Sequence, residues 1–149
     1  RMGDASEAML AFSYALPGMP LIYSGQEYDM DKRLRFFEKD TISKEKGKVW
    51  PILKKLGKLK NENVALHGAK EAASYEALET SEEEKIMAFK REKNGQVLIY
   101  LANFSDSPVN FTVKLDGEYT DYMSGESVKM AENENLEYAP WQYEILVNK

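Results

Sequence analysis

The chain has 149 residues, 43% apolar and 30% charged, with a net charge of −5, one histidine and no cysteine. That is ordinary for a globular chain of one domain, or one domain with an appendage. It excludes disulfides and thiolate metal sites, gives no basic excess for a phosphate backbone, and holds no apolar run near the ~20 residues of a membrane helix.

The opening RMGDASEAM reads as the interior of a longer chain, with no signal peptide visible. Asp4, with Glu7 three residues on, resembles a capping box, so a first helix is expected there. Its apolar residues Ala8, Leu10, Ala11, Phe12, Ala15 and Leu16 lie on most sides and call for wide cover. Pro17-Gly18 ends it. Pro20-Leu21-Ile22-Tyr23 follows, apolar without alternation, the pattern of a strand buried on both faces. It stops abruptly at Ser24-Gly25-Gln26-Glu27.

Residues 28–48 are charged and irregular, and a loop of that length after a strand is usually functional. A second helix begins near Lys48. Pro51 fits only its first turn, Val49, Ile52, Leu53, Leu56 and Leu59 form its apolar stripe, and Lys54, Lys55, Lys58 and Lys60 oppose them. His67 lies in the turn LHGAK and reads as a partly exposed loop residue. From about residue 68 the texture is all-β. Eight short runs rich in β-branched and aromatic residues (EAASYEAL, KIMAFKRE, QVLIYLAN, PVNFTVKL, EYTDYM, SVKM, LEYA and WQYEILVN) are separated by turn residues such as Lys93-Asn94-Gly95 and Ser124-Gly125. Regular short strands of this kind mean a sandwich, expected here to close a core of its own. Its aromatics are mostly core, and Trp141 with Tyr143 is the pair placed to form a sugar platform on one strand face.

Several stretches resemble the α-amylase family of glycoside hydrolases. ALPGMPLIYSGQE is similar to the last barrel strand of that family and its approach, RLRFFEKDTIS to the loop after it, and PILKKLGKLKNENVAL to the last barrel helix. GEYTDYMSGESV and YAPWQYEILV resemble late strands of its C-terminal β domain. Ser24 and Lys44 depart from the pattern, standing where an aromatic and a tryptophan are common.

The resemblance implies an α+β chain made of two helices and a buried strand from the end of a (β/α)8 barrel, followed by an antiparallel β-sandwich of about eight strands. Residues 1–67 would be the barrel remnant and 68–149 the C-terminal sandwich. The parent would be a retaining glycosidase acting on α-glucans, with this chain bracing the barrel. The carboxylate pair about 5 Å apart that such chemistry needs matches no position here, so the chain alone is expected to be inactive. Gln26 and Glu27, at the strand's mouth, are the candidate substrate-binding residues. Glu27 would orient a catalytic group or tie neighbouring loops through backbone N–H groups. Arg33, Arg35 and Asp40 would line a distal subsite or form a solvated charge run. No cofactor is expected in this chain, and the resemblance allows calcium in the parent. The expected partner is an α-glucan, not nucleic acid or membrane, with self-association through the bare strand. The compartment stays open between cytoplasm, envelope and secretion. A free-standing carbohydrate- or protein-binding sandwich is the alternative reading.

Overall fold

A computed structural model describes residues 2–148. Helix α1 is Ser6–Ala15 and α2 is Val49–Glu62, with Pro51 in its first turn. Eight strands follow: β1 Glu76–Ala77, β2 Ile86–Lys93, β3 Gln96–Asn103, β4 Val109–Phe111, β5 Gly117–Asp121, β6 Ser127–Met130, β7 Leu136–Tyr138 and β8 Tyr143–Val147. Six form an antiparallel sheet in the order β1-β2-β3-β8-β5-β6, while β4 and β7 pair as a separate two-stranded sheet. All eight expected runs contain a strand.

Strand β3 explains the layering. Its side chains alternate between the sheet faces, and from Leu98 onward both faces are buried. Ile99 and Leu101 join Ile86, Phe111, Tyr138 and Leu146 between the two sheets. Leu98, Tyr100 and Ala102 join Phe89 and Ile145 on the other face, under Leu10 and Tyr14 of α1 and Leu53, Leu56 and Leu59 of α2. The β strands therefore do not close their whole core alone. Only one face of the main sheet is covered by strands, and the two helices cover the other.

Polar bonds fasten α1 to that face. The capping box does not form: a 3-10 turn, Gly3–Ala5, leads into the helix without a side-chain cap. Glu7 instead accepts from the Tyr143 hydroxyl (2.7 Å). The buried Tyr100 hydroxyl donates to the Ala8 carbonyl (2.7 Å). At the helix end, Arg91 Nη1 donates to Ala15 O (3.3 Å) and Lys60 Nζ to Tyr14 O (3.4 Å). Two cations thus meet the orphan carbonyls at the negative end of the helix dipole. Burial, and then the neighbouring Arg91, hold the Lys60 pKa below its usual value.

The expected buried strand at Leu21–Tyr23 is not formed. The segment has no regular secondary structure and pairs with no strand, with Leu21 86%, Ile22 43% and Tyr23 63% exposed. The physical reason is pairing: a strand of parallel-sheet type needs hydrogen-bonded neighbours on both edges. None of the eight strands pairs with this segment.

Candidate functional site

Gly25 makes the turn after this segment, at φ +95, where L side chains are strained. A Cβ there would also meet the Met30 side chain at 2.7 Å. The 3-10 turn Gln26–Tyr28 follows. Both candidate side chains fold back on this turn: Gly25 N–H donates to Glu27 Oε2 (2.9 Å), and Tyr23 N–H donates to Gln26 Oε1 (3.2 Å). Glu27 thus ties one backbone N–H group, that of Gly25, in its own turn. Gln26 alone of the two lines the adjoining cleft of about 830 Å³, together with Glu7, Leu10, Tyr23, Asp29 and Val49.

Asp29 is the residue that sequence reasoning missed. It has a positive φ of 55 and accepts the N–H groups of Lys48 and Val49 (the latter at 2.9 Å), so it caps α2 from 19 residues upstream. No local motif marks a cap supplied across so long a loop. Tyr28 stacks on Trp50 (5.5 Å, 24°), with Lys46 over the indole at 4.6 Å. These contacts close the neck of the loop. Asp29→Ala should cost about 1 kcal/mol, the usual worth of an N-cap, and lower the melting temperature by roughly 3 °C. Gly47→Ala should reproduce that loss in a calorimetric scan, because its Cβ would lie 2.0 Å from Asp29 Oδ2.

Within the loop, Asp40 accepts from Lys32 Nζ (2.7 Å), Arg35 N–H (3.2 Å) and Thr41 N–H (2.8 Å), and Arg35 pairs with Glu38 (2.6 Å). The Lys32 bond, and then the two backbone N–H bonds, lower the Asp40 pKa to about 2. A lowered pKa means the ionised carboxylate is the one that closes the loop. Closure should be complete above the ordinary aspartate value near pH ~4 and fade as the pH falls to about 2. The Thr41 amide shift, followed by NMR, should titrate in that window and not near neutrality.

Trp141 and Tyr143 do not share a strand face. Trp141 sits in the preceding turn at φ 57, and Tyr143 is committed to α1 through Glu7. His67 is partly buried, with Nε2 3.4 Å from Asn61 O. Among the described residues no group of three or more His, Asp or Glu could hold a metal ion. No described helix is long and apolar enough to cross a membrane.

By sequence, no family model and no curated protein matches the chain. By fold it is similar to enzymes of the α-amylase family. A maltogenic α-amylase, AmyB of Thermotoga neapolitana, superposes with a TM-score of 0.80 at 15% identity, over 97% of this chain and 36% of that one. An α-amylase of Lactobacillus plantarum gives 0.69 at 19% identity, over 98% and 33%. An Anoxybacillus α-amylase gives 0.66 at 21%, over 95% and 31%. The chain spans about a third of the length of these structures.

Proposed function

We propose that the chain is the closing part of a retaining α-glucan-active glycosidase. Residues 1–67 would supply helix seven, strand eight and helix eight of its (β/α)8 barrel, and 68–149 its C-terminal β domain. The observation that carries this reading is a likeness running almost the full length of the chain over only a third of a longer enzyme. Fold neighbours include a protein named AmyP, crystallised with maltose and with maltotriose, which supports the substrate class. The exposure of Leu21–Tyr23 agrees with it, since barrel strands flanking the segment on both edges would bury it. Gln26 and Glu27 would then lie on the strand's carboxyl end, at the rim of the active site, as substrate-binding or orienting groups. The catalytic carboxylates, and any calcium, would belong to the remainder of the enzyme. The test is release of reducing ends from starch and maltooligosaccharides. The chain extended upstream through its coding sequence should be active and the isolated chain inactive. Activity of the isolated chain that Glu27→Gln abolishes would overturn the reading.

A chain separated from its barrel exposes backbone at Leu21 and Ile22 that no strand pairs, a template for pairing with a second copy. Light scattering across a concentration series should therefore show association. Ile22→Lys should reduce it by placing a charge on that edge.

A further inference from the structure

Lys60 and Arg91 are neighbouring cations that no acidic group balances. Lys60 Nζ donates to Tyr14 O (3.4 Å) and Arg91 Nη1 to Ala15 O (3.3 Å), so the two reach adjacent carbonyls at the end of α1. Neither makes an ion pair among the described residues. Arg91 is fully buried, and a guanidinium keeps its charge at neutral pH. Lys60 is partly buried and lines a cleft of about 470 Å³ with Met19, Asn61, Leu66 and His67. A lysine that is desolvated and set beside another cation holds its proton less tightly, and the neutral amine it releases is a nucleophile. Burial first, and Arg91 second, act on Lys60 in that direction. Its single long bond to a neutral carbonyl opposes them weakly. The guest of such a cleft is a neutral electrophile rather than an anion, because both cations face the negative end of α1. The two cations, the carbonyls they reach and the lining residues all belong to this chain, so the chemistry is a property of the chain as it stands.

We propose that Lys60 is a carbonyl-trapping amine, which forms a Schiff base with a small aldehyde in this cleft. Nζ adds to the aldehyde carbon while the carbonyl oxygen takes up a proton. The carbinolamine then expels that oxygen as water as the nitrogen lone pair forms the C=N bond. Amine and aldehyde thus give imine and water. The proposal is independent of the glycosidase reading, and its outcome leaves that reading untouched. The test is reductive labelling of the full chain with glyceraldehyde and cyanoborohydride at pH about 7.5, stopped at low extent and mapped by peptide mass spectrometry. Lys60 should label at least about threefold faster than Lys54 and Lys58, which are exposed on the same helix. At pH about 10.5, where ordinary lysines are also largely neutral, that preference should vanish. A second measurement needs neither reagent nor variant: the ε-methylene NMR signal of Lys60 should titrate with a lower midpoint than those of Lys54 and Lys58. Labelling of Lys60 no faster than of the other two at pH about 7.5 would overturn the proposal. So would a preference unchanged at pH about 10.5, which would report access alone, or a Lys60 midpoint equal to theirs.

Discussion

Arg91→Ala should lower the unfolding free energy by about 3 kcal/mol, read as a shift of the urea midpoint at unchanged slope. The side chain is fully buried, and no acidic group lies within ion-pair distance among the described residues. Its Nε donates to Ser74 O (3.2 Å) and its Nη1 to Ala15 O (3.3 Å), so one residue of β2 ties the entry to the sheet to the end of α1. Truncation to alanine leaves those carbonyls unpaired, at roughly 1–3 kcal/mol each, and opens a cavity in the helix-facing core. The burial cost of the guanidinium opposes this and keeps the net at the low end of that sum. The same cost appears as an Arg91 pKa held below its usual value by burial. Arg91→Met keeps most of the stem volume and removes the charge, so it should recover roughly half the loss. A methionine variant as stable as the parent chain would show that the bonds to Ser74 and Ala15 contribute nothing net.

The larger effect comes from removing the helices. A fragment of residues 68–149 should fail to melt cooperatively and should bind a hydrophobic dye. Without α1 and α2 the sheet exposes Phe89, Leu98, Tyr100 and Ile145 on one face. At roughly 1.5–3 kcal/mol for each side chain, that forfeits on the order of 10 kcal/mol, comparable with the whole stability of a domain this size. The bonds from Tyr100 to Ala8 and from Arg91 to Ala15 are lost with the helices. A sharp calorimetric transition with intact near-ultraviolet aromatic signals would show that the face between the two sheets suffices alone.

These two results mark how far local pattern reaches. The eight β segments were legible because turn residues punctuate runs of β-branched and aromatic residues, and each run is short enough for its neighbours to specify it. The α2 stripe was legible because Leu53, Leu56 and Leu59 repeat at helical spacing and Pro51 permits only one start. In β2, alternation sets Met87, Phe89 and Arg91 against Ile86, Ala88 and Lys90, and such a pattern ordinarily marks one face as wet. Here both faces are covered, which local pattern cannot report, because the second cover comes from helices that precede the strands.

The candidate site divides in the same way. The stop of the apolar run at Ser24-Gly25 was legible, and Gln26 and Glu27 came from the family resemblance as residues at its mouth. The inward fold of both side chains and the choice of Gln26 alone for the cleft were settled by the geometry of a single 3-10 turn. Residues 20–23 carry the apolarity of a buried strand, but apolarity is a property of side chains and a strand also needs partners for its backbone. The sequence by itself determined which segments can be helix, strand and turn. Only the tertiary structure decided which of them find cover, that Asp29 caps a helix 19 residues away, and that Arg91 is sealed against the end of α1. Each of these depends on groups distant in the chain meeting in space, and a pattern of neighbouring residues does not encode that.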